Sequence, residues 1–520
     1  MTIREEKISK TLLILMLISL LIRGFLAAFH ELGNDEVYYW TYALYPDLSH
    51  FLHPGMVGWI MQLTTLNLLF DSEFFLRLSS VVFTTVNTWL IYLIGKEVKN
   101  RITGFFAALL FTSSLYTFVI TGVFILPDTP LMLFLLLSIY LFIKYFKSEK
   151  KEQHFLLLAG LCAGLAMLSK YSGVFIWIGV TLYILIYDRK ELKNGYLYLA
   201  LFISAICLLP ILIWNFQHDF VSFKFHGDRV GLFGKPRLDY LGIELAGEFL
   251  YNNPIVYILI IISLIAFFKR KSTADHHASR LLLLTALPWI GTFIYFSFTR
   301  STLPHWSAPG FCLLIPVAAS YLAEKQENIT GLYHIPKVIT IALALLLVVV
   351  GIGSFEIKTG RIQACFADNQ TVDMAHVGKG DITLDMYGWD QMREGFVEVR
   401  DSLVTAGEMN AEDGIVALKW FHTANRDYYI ATPLGLNLYA LGDLYQINKY
   451  YWINELRGGM QKGKNYWFIN QSSHFTDPEC WQFQSNFEQV VPLDTFAIYR
   501  SGRVAEYIFV YKLERFKGDN

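Results

Sequence analysis

Two adjacent carboxylates, Asp35 and Glu36, follow directly after the first long apolar run of the chain. A carboxylate beside a hydroxyl or amine can remove its proton while that atom attacks an activated carbon. Where a helix leaves a bilayer, water keeps such acids charged at little cost. We therefore interpret Asp35 as a catalytic base and Glu36 as a group that orients Asp35 or the acceptor. The alternative is an acid that caps a helix.

Cations and imidazoles that suit a phosphate occur at three other places in the sequence. They are His53 before Pro54, Lys170 within LSKYSG, and Arg300 and His305 within TRSTLPHW. Charge-assisted hydrogen bonds are the strong ones, so these side chains together are suited to hold the phosphate of a lipid. Each also has a structural alternative, such as a lysine whose ammonium extends along a helix end to the membrane surface.

The stretch LPDTP, which contains Asp128, lies between two apolar runs. Its two prolines restrict the backbone, and Pro130 suits the start of a helix. Asp128 fits two roles equally well. Its side chain can cap that helix, or it can face the same outer cavity as Asp35.

Charge is scarce along the chain, because 17% of its 520 residues are charged and 54% are hydrophobic. An average soluble domain has about 25% charged residues. The net charge of -1 provides no basic footprint, so we expect no nucleic-acid partner.

The cysteines show no metal-ligand spacing, and Cys365 and Cys480 could pair if the tail lies outside the cytoplasm.

About eleven apolar runs are long enough to cross roughly 30 Å of hydrocarbon. They are 11–30, 79–95, 103–122, 129–146, 154–169, 172–187, 196–214, 251–268, 281–299, 305–322 and 336–354. Lysine and arginine gather in alternate loops, such as 147–151 and 189–193, which the positive-inside rule assigns to the cytoplasm. This charge pattern predicts a cytoplasmic N-terminus. The first apolar run, 11–30, is expected to remain as a membrane anchor. The same charge pattern places Asp35, Lys170, Arg300 and the C-terminal tail on the outer face of the cytoplasmic membrane.

The composition divides the chain into two parts. Residues 1–354 hold the apolar runs and two long outer loops, 31–78 and 215–250, whose length and aromatic residues indicate function. Residues 355–520 alternate strand-like runs with a helical pattern. The predicted strands are 382–386, 415–419, 466–469, 497–499 and 507–511, and the predicted helix is 390–403. The fold class is therefore a polytopic α-helical membrane protein with a C-terminal extracytoplasmic α/β domain.

Several common catalytic signatures are missing from the sequence. No glycine-rich phosphate loop, nucleophile elbow, zinc motif or cofactor signature is visible. Nucleotide-sugar donors are absent outside the cytoplasm, so a lipid-anchored sugar suits an outer site. Its phosphate would be the leaving group, stabilised by basic side chains. The sequence assigns no cofactor and leaves a divalent cation open.

At these residues the chain resembles a known family. The stretches that carry the likeness are, in order, NDEVYYW, HPGMVGW, DSEFFLRLSS, LPDTP, LSKYSG, LIWNFQHDFVSFKF, LPHWSAPG and YGWDQM. As an ordered set they are similar to the bacterial membrane glycosyltransferases of the GT-C class. These are relatives of protein O-mannosyltransferases and of the lipid A aminoarabinose transferase. The likeness covers all the apolar runs and, more loosely, the tail.

The resemblance implies an inverting transfer of a hexose or pentose from a polyprenyl-phosphate carrier to an acceptor on the outer face. The acidic residue of the family's first outer loop matches Asp35. His53 stands where the aminoarabinose branch has a lysine, in a motif that is His-Pro-Pro in many bacterial members and ends here in Gly55. Asp128, Lys170 and His305 match other motif positions of the family.

We therefore predict an integral-membrane glycosyltransferase. Its predicted partners are a polyprenyl-phosphate-linked sugar, an envelope lipid, glycan or protein as acceptor, and the lipid bilayer. An alternative from another class is a transporter or flippase for a lipid-linked sugar. Transporters tend to show internal repeats and polar groups near the midplane, whereas here polar groups gather on one face.

Overall fold

Two compact units make up the chain in its computed structural model. The structure describes residues 2–229, 234–269, 274–326, 332–366 and 373–518, with side chains over the same ranges except at 2, 332 and 364–366. The first unit contains Met1–Ala28 and Pro46–Val349, and the second contains Phe29–Tyr45 and Val350–Asn520. The side chain of Cys365 lies outside the described residues, as do residues 230–233 of the predicted loop 215–250.

Long apolar helices form most of the first unit. Those of nine or more residues that lie wholly or mainly in it are Ile8–Phe29, Met56–Thr64, Glu73–Val98, Arg101–Ser113, Asp128–Lys147, Gln153–Ser169, Phe175–Tyr187, Gly195–Ile206, Leu209–Gln217, Val221–Arg229, Leu238–Tyr251, Pro254–Phe268, His276–Ser297, Ala308–Glu324 and Lys337–Thr359. A short sheet pairs β1 (Thr2–Arg4) antiparallel with β2 (Leu332–His334).

The apolar composition of these segments favours helices, because a backbone in lipid must satisfy its own hydrogen bonds. Five of the described helices are long and apolar enough to cross a membrane, and two bent pairs pass the same test together. Shorter apolar helices accompany them. Each predicted apolar run coincides with one of these helices or pairs, whereas the number of runs that span the membrane stays a prediction.

Glycines allow close contact between neighbouring helices of the first unit. A Cβ added to Gly95 would lie 2.8 Å from the Cα of Gly104, on the facing helix. The helices Glu73–Val98 and Arg101–Ser113 therefore pack with their backbones almost in contact, as small residues permit inside membranes. This packing fixes the part of the chain that leads into the site described below.

Two breaks in the helices of the first unit position polar side chains. A π-helical turn at Tyr116–Ile120 follows the helix Arg101–Ser113. The run predicted to break at Lys170 does so, since one helix ends at Ser169 and the next turn begins at Tyr171. Irregular backbone in such proteins is tolerated where it is buried in protein or lines a cavity.

A five-stranded mixed sheet forms the centre of the second unit. Its strands in chain order are β3 (Ile415–Leu418), β4 (Leu438–Leu441), β5 (Tyr466–Gln471), β6 (Phe487–Arg500) and β7 (Arg503–Phe516). Across the sheet the order is β4-β3-β5-β7-β6. Strand β3 is parallel to β4 and β5, and β7 is antiparallel to β5 and β6. The predicted small α/β domain is confirmed.

Helices surround this sheet, and one predicted strand is absent. The α-helices of four or more residues in the described part of this unit are Asn34–Leu44, Arg361–Phe366, Trp389–Thr405, Thr423–Arg426, Leu444–Ile447, Tyr450–Leu456 and Trp481–Asn486. The strand predicted at 382–386 is wrong, because Ile382–Met386 is a 3-10 helix. Asp381 starts it by accepting a hydrogen bond from Thr383 N at 3.0 Å, and this local cap overrides the alternating pattern.

The segment Phe29–Tyr45 groups with the second unit, although the sequence assigned residues 31–78 as a loop of the membrane part. Further along, the predicted loop 215–250 is largely helical, with Val221–Arg229 and Leu238–Tyr251. Both stretches that were predicted as long outer loops therefore contain regular structure.

Candidate active site

The two adjacent acids stand at the start of the helix Asn34–Leu44 and differ in their surroundings. Glu36 is 2% exposed, and its Oε2 accepts a hydrogen bond from Gly33 N at 3.0 Å. This contact closes the first turn, as the acid of a capping box does. Asp35 is exposed. Of the pair, Asp35 is therefore the carboxylate that an incoming molecule can reach, and Glu36 shapes the turn that presents it.

Side chains of the second unit hold this helix at both ends. Before it, Leu32 N donates to Tyr429 Oη at 2.6 Å. At its end, Lys449 Nζ donates to Thr41 O at 2.7 Å and to Tyr45 O at 2.6 Å. These contacts explain why the segment belongs to the second unit, and they fix the backbone that carries Asp35.

Glu31 provides a further link between this segment and the rest of the second unit. Its Oε2 accepts a hydrogen bond from Trp389 N at 3.1 Å, at the start of the helix Trp389–Thr405. Burial raises the pKa of the Glu31 carboxyl to about 7, against the lowering effect of that hydrogen bond. An anion at a helix N-terminus is well placed to bind the free N–H groups of the first turn.

In the first unit, Lys170 and Asp128 form a buried ion pair. Lys170 Nζ donates to Asp128 Oδ2 at 2.7 Å, and Tyr116 Oη donates to Asp128 Oδ1 at 2.9 Å. The two charged residues are 8% and 2% exposed. The sequence left two roles open for Asp128, and one of them was to cap the helix Asp128–Lys147. The side chain of Asp128 makes no such capping hydrogen bond. Both carboxylate oxygens instead bind neighbouring side chains.

A cavity of about 800 Å³ lies beside Lys170 in the first unit. Its wall carries the cations Lys170, Arg229 and Arg300 together with His53 and the acid Asp228. Apolar and aromatic side chains supply much of the remaining surface, among them Leu52, Phe175, Phe223, Phe293, Phe296 and Trp306. A wall of this kind suits an anionic group attached to a hydrocarbon chain.

The two guanidinium groups in this wall are supported by aromatic rings. Arg300 Cζ lies 5.3 Å from the ring centroid of Phe296, and Arg229 Cζ lies 4.8 Å from that of Phe225. Stacking of this kind holds the planar guanidinium in place. Asp128 neutralises Lys170, and Arg229 and Arg300 add two guanidinium groups to the wall beside the carboxylate of Asp228.

The helix Val221–Arg229 contributes to the cavity through contacts with the turn after Lys170. Tyr171 Oη lies 3.1 Å from Ser222 Oγ, and the Tyr171 ring packs against the ring of His226 at 5.0 Å. The other side of His226 is fixed as well, since its Nε2 lies 2.9 Å from Leu52 O. These contacts bring the second predicted loop to the residues before His53.

Burial disfavours the charged form of the predicted imidazole His53. Burial, followed by the charge of Lys170, holds the pKa of His53 well below its usual range. This favours hydrogen bonding over charge as the contribution of His53 to a phosphate.

The predicted site residues fall into two groups. His53, Asp128, Lys170, Arg300 and His305 belong to the first unit, in which Lys170 binds Asp128 and shares a cavity with His53 and Arg300. The charges of Asp128 and Lys170 also act on His305. Asp35 and Glu36 belong to the second unit, so their cooperation with the first group stays a prediction from the sequence.

Several side chains at or near the cavity of the first unit were not predicted from the sequence. Tyr116 lies inside an apolar run, where nothing distinguishes a ligand of Asp128 from a core aromatic. Glu244 and Glu248 are buried on one helix, and Glu244 Oε2 accepts from Thr302 Oγ1, a residue of the cavity wall, at 2.7 Å. His226 follows directly after the stretch LIWNFQHDFVSFKF, which the resemblance had already marked.

Comparison with known proteins agrees with this architecture. Residues 52–214 match the family model described as dolichyl-phosphate-mannose-protein mannosyltransferase. The crystal structure of ArnT from Cupriavidus metallidurans bound to undecaprenyl phosphate has the same fold, with a TM-score of 0.60 and 12% identity over 98% of this chain and 99% of that one. The apo form of ArnT gives a TM-score of 0.60 at 11% identity, over 98% and 100% of the two chains.

These findings agree with the resemblance of the chain to the membrane glycosyltransferases of the GT-C class. Among curated proteins, it is similar to the lipid A galacturonosyltransferase RgtD of Rhizobium johnstonii, with 24% identity over 230 residues. The match covers 43% of this chain and 47% of RgtD, so the chain spans about half the length of that relative.

Proposed function

We infer that this protein transfers a hexose or pentose from a polyprenyl-phosphate carrier to an envelope acceptor on the outer face of the cytoplasmic membrane. The observation that carries the proposal is the cavity of the first unit, where Arg229 and Arg300 stand among apolar side chains. Its chemistry matches a phosphate that ends a long hydrocarbon chain. ArnT, which shares the fold, has been crystallised with undecaprenyl phosphate, which supports the same donor class here.

The proposed reaction is a single displacement at the anomeric carbon of the sugar. Asp35 accepts the proton of the acceptor hydroxyl or amine as this atom forms its bond to the anomeric carbon. The bond from that carbon to the phosphate oxygen breaks, and the oxygen leaves with the electron pair. Attack from the face opposite the phosphate inverts the configuration of the sugar.

The cations of the first unit act on the leaving group in this proposal. Arg300 and Arg229 stabilise the negative charge that grows on the phosphate oxygen as the bond breaks. Lys170 adds a third cation, held in place by Asp128, and His53 donates a hydrogen bond. The charges are arranged before the reaction, so little reorganisation is needed in the transition state.

The acceptor is an envelope molecule, and lipid A is the first to test, because the relative RgtD is named for transfer to lipid A. The other acceptor classes, a glycan or a protein, remain alternatives within the same proposal. The C-terminal unit, outside the cytoplasm in this scheme, is the part of the chain available to select among them.

Release of polyprenyl phosphate tests this function. We would incubate proteoliposomes with undecaprenyl-phosphate-linked hexoses and pentoses and with lipid A, and follow both lipids by mass spectrometry. We expect free undecaprenyl phosphate to appear together with one added sugar on the acceptor. Movement of the intact donor between leaflets with no release of phosphate would contradict the proposal and favour a flippase.

A further inference from the structure

Three side chains of the second unit converge at one edge of its sheet. Asp385 belongs to the 3-10 helix Ile382–Met386, His422 follows β3, and His474 ends the turn after β5. Strands β3 and β5 are parallel neighbours, so the segments after them emerge at the same edge. Each of the three residues offers one ligand atom, and these atoms all lie within 4.8 Å of one another.

His422 is a buried imidazole whose two ring nitrogens are available to bind a ligand. It is 5% exposed, and neither ring nitrogen has a hydrogen-bond partner within the described part of the chain. Its ring centroid lies 4.2 Å from that of His474 and 5.8 Å from that of Trp389. A buried polar group without a partner costs folding free energy, so such an imidazole is rarely left bare.

We propose that Asp385, His422 and His474 form a binding site for a divalent first-row transition metal such as Zn²⁺. Two imidazoles and one carboxylate are a common ligand set for this ion, which keeps a fourth position for water. Metal–ligand bonds of about 2.1 Å place tetrahedral ligands roughly 3.4 Å apart, so small side-chain rotations complete the set. Because His474 is exposed, a metal ion can reach the site from solvent.

Hydrogen bonds behind the proposed ligand His474 support this set of three metal ligands. Ser473 Oγ lies 3.3 Å from His474 Nδ1, which leaves Nε2 of that ring for the metal. Ser473 in turn donates to Glu506 Oε2 at 2.6 Å, so the imidazole is connected to a buried carboxylate. Metal-bound histidines usually have such a partner on the other ring nitrogen, directly or through a polar group.

The charges near the site also permit a cation. Arg426, on the helix directly after His422, is buried and donates to Gln471 Oε1 at 3.0 Å. The charge of Glu506 acts on this guanidinium. The carboxylates Asp385 and Glu506 therefore balance Arg426 and part of the charge of the bound ion.

The consequence of metal binding is a fixed position for the segment that carries Asp35. Trp389 Nε1 donates to Asp385 O at 3.1 Å, while Trp389 N donates to Glu31 Oε2. Gly33 lies beside Met386, since a Cβ at Gly33 would be 3.7 Å from Met386 Cγ. A metal that ties Asp385 to the ends of β3 and β5 would thus hold residues 31–33 as well. Its role would be structural.

Cobalt binding tests the site directly. We would purify the full chain in detergent through a tag without histidine, strip it with a chelator and titrate it with Co²⁺, whose visible absorption reports four-coordinate ligation. We expect saturable binding of one equivalent, displaced by Zn²⁺. His474→Ala and Asp385→Asn should each weaken the affinity about tenfold or more.

His376→Ala is the matched control, because His376 is exposed in the same unit and pairs with Asp373 rather than with the cluster. His474 is exposed, so its substitution leaves the fold intact and a loss of binding can be attributed to the ligand. A wild type without a saturable cobalt spectrum would overturn the proposal. Equal affinity of His474→Ala, Asp385→Asn and His376→Ala would overturn it too. Neither readout depends on sugar transfer.

Discussion

Asp35→Asn is expected to fold and insert into the membrane normally but to transfer sugar at least about a hundredfold more slowly. The amide is nearly the same size as the carboxylate and cannot take the proton of the acceptor. Asp35 is exposed and Glu36 provides the cap of the helix, so the substitution leaves the turn intact. The rate of polyprenyl-phosphate release measures the effect, with the melting temperature as a check on folding.

Asp401→Asn is the control for that experiment. Asp401 is also an exposed acid of the second unit, on the helix Trp389–Thr405, where it pairs with Arg400. This variant should release polyprenyl phosphate at the wild-type rate. If Asp35→Asn does so as well, the assignment of Asp35 as the base is wrong.

Asp128→Asn is expected to destabilise the first unit by about 3–5 kcal/mol, because it leaves the ammonium of Lys170 buried without its counter-charge. The pair is nearly inaccessible to water, so solvent cannot replace the lost interaction. The free energy of unfolding in mild detergent measures the loss. Activity should fall in parallel, since Lys170 is part of the cavity wall.

Removing both charges tests whether the stability lost in Asp128→Asn comes from the unpaired charge of Lys170 or from altered packing at residue 128. The double variant Asp128→Leu with Lys170→Met has no unpaired charge, and it should recover most of the lost stability. It should still release polyprenyl phosphate more slowly than the wild type, because one cation of the wall is missing. A double variant less stable than Asp128→Asn alone would contradict this account of the pair.

The helices of the first unit were predictable from the sequence because they depend on local composition. An apolar run of sufficient length forms a helix regardless of its neighbours, and every predicted run has a helical counterpart. The break at Lys170 was the least certain boundary between predicted runs, because only Lys170 and Tyr171 interrupt the apolar sequence there, and the structure confirms it. The strand expected at 382–386 failed because one side-chain cap at Asp381 outweighed an alternating pattern.

The arrangement of the site was less predictable, because pairing between distant side chains leaves no trace in a single sequence. Lys170 and Asp128 were both identified, but the bond between residues 42 positions apart was not. Tyr116 resembles any other core aromatic until its hydroxyl is placed. The metal-ligand cluster of the second unit combines three separate segments, so it shows none of the regular spacing by which zinc motifs are recognised.

Equilibrium binding of undecaprenyl phosphate to the wild type and to Arg300→Met tests the central claim that the cationic cavity of the first unit holds the donor phosphate. The control is Arg237→Met, which removes an exposed arginine paired with Asp239 at 2.6 Å. We predict wild-type affinity for Arg237→Met and about tenfold or more weaker binding for Arg300→Met, since a charge-assisted hydrogen bond is lost. Equal affinity of Arg300→Met and the wild type would contradict the claim.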